Sequence, residues 1–452
     1  DILEQGFAYA WNPDSLIKDP GEELEYYFEV WDNDGVNGAK STRSKVWSIK
    51  VPSLEELSEE SSERASRTKA SLSKSSAELE KMKKELNDLK KDLLEKKKPN
   101  WQDRKALKDM LVKQKEMMEN LEKKAIEQSK QRMLDEKFNS FSEEIMQKQE
   151  MMQDMFEKLF DEEFKEKYEE MNKLMDEMNK SDMLEKLEEM NLDNDQLEKE
   201  LDRTLELFKQ LELEKKVEEN IERLEELINH QDSLKEETQE KRSDSDELAG
   251  KQTEINKKAE ALDKELKQME DLNNALEEPQ SIPDLEELSE EARGDMAEAK
   301  EELEKGRKVK ASDSQDDAKE KMQEMKEQLS SFQEEQANDQ QAENLEDMRQ
   351  LLENIIDLSI GQEQVMEALT PVKGNDPKFV ELTKRQKNLV DDTQIVEDSL
   401  LALSKRVPQI SKVINDEMSA VNFNMQKSLS YMSDQPPNRE DQYKAMSVER
   451  QQ

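Results

Sequence analysis

Leu79, Met82, Leu86, Leu89 and Leu93 recur at spacings of three and four, and the same spacing returns along most of the 452-residue chain. Apolar side chains at that period share one face of an α-helix and leave the rest to solvent. Long helices of this kind pair along their apolar seams, as coiled coils do. Composition agrees: 40% of residues are charged, 33% hydrophobic and 5% aromatic, too little apolar bulk for a thick globular core.

The seam is interrupted at definite points. In "PSLEELSEE" (Pro52 to Glu60), Ser53 precedes Glu56 by three residues, the spacing at which a cap side chain and a glutamate satisfy each other's free backbone amides. "PDLEELSEE" (Pro283 to Glu291) repeats the device with Asp284 and Glu287. "KKKPN" ends the first helix, and Asn100 caps a second in which Leu134, Phe138, Phe141, Ile145, Met152, Met155 and Leu159 keep the spacing. The seam drifts through Phe164, Tyr168, Met171, Met175 and Met178 and breaks at "NKSD" and "LDND". It resumes from Gln196, is strongest at Ile255, Ala259, Leu262, Leu266 and Met269, and stops at "EEPQSIP". Pro279 and Pro283 each disfavour helical geometry in the residue before, which predicts an elbow over 279–283. "GRKVKASDSQDDAKEK" has no seam and reads as a flexible joint. From Met348 apolar density rises, and "TPVKGNDP" and Pro408 divide three shorter helices that fit an antiparallel bundle.

The first 51 residues are of another kind, with Trp11, Trp31 and Trp47 and four of the nine glycines. "LEYYFEVW" and "STRSKVWSIKV" flank Asp34-Gly35 and Asn37-Gly38, dipeptides that tolerate positive φ, so they read as a hairpin. Val46, Ile49 and Val51 do not alternate cleanly, which leaves its register open. "GFAYAW" supplies an earlier strand, and strands so punctuated are the pattern of an Ig/fibronectin-like β-sandwich.

The expected fold is mostly α, with long jointed coiled-coil helices and a small C-terminal bundle behind a partial sandwich. Its parts are the sandwich fragment at 1–51, a first coiled-coil helix at 52–98 and a Met/Phe-rich coiled coil at 99–190. A coiled coil at 194–278, acidic helices at 284–345 with a joint near 306–316, a bundle at 346–433 and a mobile tail at 434–452 complete it.

A net charge of −42 repels nucleic acid and anionic lipid, so neither is expected as a partner. The lack of cysteine excludes disulfides, thiolate zinc sites and cysteine nucleophiles in these residues. No run of 18 apolar residues occurs. A calcium loop starting at Asp32 fails, since Val36, Asn37 and Arg43 stand where an oxygen ligand, glycine and glutamate are needed. His230, the only histidine, lies between Asn229 and Gln231 and reads as part of a solvated helix face. Carboxylate runs such as "FDEEFKEKYEE" alternate with lysines as solvated, salt-bridged faces do. No catalytic residue, cofactor or metal is therefore expected, and the chain reads as non-enzymatic.

The most informative cluster is soft and apolar: Met152, Met155, Phe156, Phe160, Phe164, Met171, Met175 and Met178. Methionine conforms to irregular surfaces, so such a stripe either fills a helical seam, the preferred reading, or forms a groove for apolar partners.

"YYFEVWDNDGVNGAKSTRS" followed by "PSLEEL" resembles the last sandwich repeat and helix start of the large membrane-anchored bacterial family known as domain of unknown function 4175. "LLENIIDLSIGQEQVM" and "VEDSLLALSKRVPQI" resemble that family's later helical region. The resemblance implies a Gram-negative envelope protein, anchored in the inner membrane by helices upstream of residue 1, with this part periplasmic. The family brings no established activity. The function expected is a structural or interaction scaffold whose seams take protein partners or a second copy, with no direct membrane contact by this segment. The alternative is a holdase that binds clients on its Met/Phe-rich surface.

Overall fold

The computed structural model describes residues 10–13, 16, 21–32, 38–138, 141–159, 162–174, 179–240, 243–372, 376–407, 409–410 and 412–433. The chain divides into one unit of residues 1–68 with 126–141 and a second of 69–125 with 142–452.

In the first unit β1 (Glu23–Tyr26) pairs antiparallel with β4 (Trp47–Lys50), and β2 (Glu29–Trp31) with β3 (Ser41–Arg43). Tyr26 lies opposite Trp47, ring centroids 5.7 Å apart, and Glu29 lies opposite Arg43. Two residues, 27–28, separate β1 from β2, whereas three, 44–46, separate β3 from β4. The extra residue is a bulge, stitched by Phe28 N–H to Ser44 Oγ (2.9 Å) and Ser44 N–H to Phe28 O (2.8 Å). A one-residue insertion reverses which face later side chains occupy, which is why Val46, Ile49 and Val51 fail to alternate. The hairpin turn, the strand assigned to "GFAYAW" up to Tyr9, and the tail at 434–452 lie outside the described residues. Among the described residues the β part is two two-stranded ribbons.

α1 (Leu54–Glu95) opens on the expected reciprocal cap, Glu56 N–H to Ser53 Oγ at 3.2 Å and Ser53 N–H to Glu56 Oε2 at 2.9 Å. α2 (Trp101–Phe138) opens likewise on Asn100, whose Oδ1 accepts from Gln102 and Asp103 while Asp103 accepts from Asn100 N–H at 2.8 Å.

In the second unit the first seam is buried as read: Met82, Leu86, Leu89 and Leu93 pack with Leu107, Met110 and Leu111. The coiled coil expected over 99–190, with a break at "NKSD", is divided further. α2 stops at Phe138, and α3 (Glu143–Lys158), α4 (Glu162–Leu174) and α5 (Lys180–Gln239) follow. Ser142 breaks the run because its amide and hydroxyl both donate to Glu218 of α5, at 2.6 and 2.9 Å, while its Oγ caps Ile145. "NKSD" is a boundary, with Asn179 and Asp182 in a capping box. "LDND", read as a second break, runs inside α5. Asn194 sits fully buried on the seam and accepts from Gln114 Nε2 of α2 at 2.9 Å, and Asp195 is held by Lys83 of α1 and by Lys199 one turn on in α5, so residues that disfavour helix find partners in the helical state.

The region read as one coiled coil over 194–278 reverses between α5 and α6 (Ser245–Asn274), and Asp244 caps the second of these helices. The elbow over 279–283 is present. Asn273 bonds both the N–H and the carbonyl of Gln280 at 2.8 Å; the reciprocal cap expected of Asp284 and Glu287 does not form, since α7 (Glu286–Glu304) starts one residue later, behind Leu285, and Asp284 accepts from Glu286 N–H at 3.1 Å instead. The joint read near 306–316 is confined to 305–307, and α8 (Lys308–Leu369) takes up the rest as helix. Gly306, φ +71°, terminates α7 with its N–H on Leu303 O and Arg307 N–H on Glu302 O, both 2.8 Å, the six-to-one and five-to-two pattern of a Schellman cap. With that cap tight, the polar run behind it needs no flexibility.

These reversals make a four-helix bundle. α5 and α6 are antiparallel (Lys216 to Glu265, Gln231 to Gln252), as are α6 and α7 (Asn256 to Met296) and α5 and α8 (Glu225 to Lys326, Asp232 to Lys319). One core runs through all four, from Leu213 to Phe332. The second part of α8 packs with α9 (Pro377–Ser404) and α10 (Lys412–Ser433). Gly361 lets α8 approach α9 closely, since a Cβ there would lie 2.8 Å from Leu389 Cδ2.

Candidate functional site

Among the described residues α5 is the one helix that reaches all three helical clusters, and the stretch from Asp195 to Glu214 carries their junction. Residues 183–190 join the α1–α2 core, 213–234 the four-helix core, and Lys199 and Arg203 bond α9 and the α9–α10 connection.

Two charged systems build the junction. In the first, Lys83 of α1 bridges Asp195 (2.6 Å) and Glu198 (2.8 Å), and Asp195 also binds Lys199 at 2.9 Å. Lys199 passes to the buried Glu397 of α9, which accepts from Ser419 Oγ at 2.6 Å and from Asn422 of α10. Burial opposes the charges on Lys83 and Lys199, but Asp195 and Glu198 around the first and Glu397 and Asp195 around the second outweigh it, and both lysines lie above the ordinary lysine value. Burial is likewise outweighed at Asp195, held below the usual carboxylate range by Lys83 and Lys199. A lysine nucleophile needs a depressed pKa, so this arrangement suits clamping helices rather than attacking a carbonyl.

The second system is Arg203, fully buried with Glu200, donating to the carbonyls of Ser404 (3.0 Å) and Ile410. An open polar groove of about 600 Å³ lies beside the junction, lined by Lys83, Lys90, Asp195, Lys199, Glu397 and Tyr431 among others.

The Met/Phe stripe divides. Met152, Met155 and Phe156 are buried under α3 against α5, where the first two face a crevice of about 30 Å³ with Leu207, Leu211 and Glu214, about the room for one or two waters. Lys148 Nζ reaches Glu214 there at 2.8 Å. Burial pushes the Glu214 carboxyl up against the pull of Lys148, and Lys148 itself rises because Glu214 and Glu144 outweigh its burial. Met171 is buried elsewhere, with Tyr168 and Met190. Phe160, Met175 and Met178 lie outside the described residues, as does the Phe164 side chain. His230 is exposed, 3.5 Å from Lys258. No group of three or more His, Cys, Asp or Glu side chains converges as a metal site among the described residues.

Sequence reasoning missed Arg203, Glu200 and the buried amides Gln231, Gln252 and Gln315. Apart from Arg203, their signal was position: each is a polar residue falling in step with the apolar seam, Leu197-Glu200-Leu201-Thr204 and Leu227-Gln231-Leu234. No protein family, no curated protein and no solved structure matches the chain.

Proposed function

We propose that the chain is a non-enzymatic scaffold of the bacterial cell envelope, part of a larger membrane-anchored protein of the family known as domain of unknown function 4175. The observation that supports it is the sharing of α5 among three helical clusters through internally paired charges, an arrangement that fixes helices relative to one another. In this reading the β ribbons are the remnant of a sandwich domain, the antiparallel helix pairs are coiled-coil seams, and the membrane anchor lies upstream. The holdase reading has no open groove at Met152, Met155 and Phe156, so clients would have to displace α3 from α5.

The test is fractionation of a Gram-negative cell making the tagged parent protein. Recovery in the inner membrane, with these residues open to protease added to the periplasm, supports the proposal. Recovery in the cytosol, or protection of these residues in spheroplasts, overturns it.

A further inference from the structure

The second part of α8 is apolar on two faces, and only one is covered. Met348, Leu351, Ile355, Leu358, Val365 and Leu369 turn into the cores with α9 and α10. Leu345, Leu352, Ile356 and Ile360 face solvent, 62%, 56%, 56% and 49% exposed. At about 100° per residue these four fall within an arc of about 80°, and at 1.5 Å per residue the row is about 23 Å long. Scattered exposed apolar residues are ordinary, but a straight row over four turns is a contact surface.

An acidic rail borders the row one residue on: Glu346, Glu353 and Asp357, all exposed. Arg349 is the one exposed cation among them, and it pairs with Glu353 at 3.3 Å. A second copy docked through this same face would bring the same rail and its own charge of −42.

We infer that this face of α8 docks an amphipathic helix of a protein partner, with an apolar row at three- and four-residue spacing and lysine or arginine along its border. Apolar contact supplies affinity, and the rail selects for basic flanks and sets the direction of docking. The surface lies apart from the α5 junction, and the inference does not depend on the envelope reading.

The probe is a fluorescein-labelled 18-residue leucine/lysine amphipathic peptide, titrated with the whole chain and read by anisotropy, beside a leucine/glutamate peptide of the same apolar pattern. Binding of the lysine peptide should weaken at least about tenfold, a step of about 1.4 kcal/mol, in Leu352→Ser/Ile356→Ser, and several-fold in Glu353→Gln/Asp357→Asn. Both variants alter exposed side chains and should keep wild-type helicity and Tm. Unchanged affinity in the serine variant, or equal binding of the glutamate peptide, overturns the inference. So does a dimer in sedimentation velocity that the serine variant abolishes, since the occupant would then be a second copy.

Discussion

Arg203 and Glu200, one turn apart on α5, form an ion pair of 2.8 Å with side chains only 1% and 3% exposed, and the same guanidinium holds the carbonyls of Ser404 and Ile410. Burial pushes Glu200 up while Arg203 and Lys412 pull it down. Removing one member of a buried pair strands the other without water, at a cost of about 3–5 kcal/mol. Arg203→Met should lose stability on that scale in urea, whereas Arg203→Met/Glu200→Leu should recover most of the Glu200 part. A double variant as unstable as the single would show that the carbonyl contacts, not the pair, carry the effect.

Glu200, Glu214 and Glu265 are all raised above the ordinary glutamate value of 4.5, burial being the largest cause in each. A raised carboxyl holds its proton more tightly folded than unfolded, so its stabilisation is complete below 4.5 and is lost as pH rises through the folded value. Asp195, lowered from 3.8, acts the other way and withdraws its stabilisation only at more acid pH, below that value. The chain should therefore gain urea resistance as pH falls from neutral toward the ordinary glutamate value of 4.5. Glu214→Gln should flatten that slope. A wild-type Tm falling over this interval would contradict the argument.

In the four-helix bundle, Gln231 and Gln252 exchange amide bonds at 3.0 and 2.9 Å, and Gln315 donates to Gln252 Oε1 at 3.0 Å, all three without solvent exposure. Gln252→Leu leaves two buried amides short of partners and should cost about 1–3 kcal/mol. Replacing all three with leucine should restore or raise stability and loosen register, because a polar layer penalises helix slippage that leucine tolerates. Native-state amide exchange should then speed up around α6 with no drop in Tm. Unchanged exchange would argue against a register role.

The seam spacing and the caps at Ser53 and Asn100 were legible in sequence because both are local, acting within three residues, whereas the box read at Asp284 and Glu287 does not form. What was not legible depends on distant partners. "LDND" stays helical because Gln114 and Lys83 arrive from α2 and α1, and Ser142 stops a helix because Glu218 does. Antiparallel folding back was equally hidden, since an apolar seam does not say whether its mate is the next helix or another chain. At the junction, Arg203 is one charged residue among many in the sequence, and only three-dimensional packing shows it bonded to the end of α9.

The tightest of the reversals is that between α7 and α8, and it rests on one glycine. Gly306 adopts φ +71°, where an L side chain costs about 1–2 kcal/mol. A Cβ there would meet nothing within 4 Å, so the cost of Gly306→Ala is backbone strain alone and not a clash. The variant should lose about that much stability, and Gly306→Asn, which tolerates the left-handed region better, should lose less. Because the polar run at 308–316 is helix held by this cap, protease sensitivity in that run should rise with the alanine variant and track its loss of stability. If Gly306→Ala proved neutral, the α7–α8 reversal would be held by core packing and the cap would be incidental.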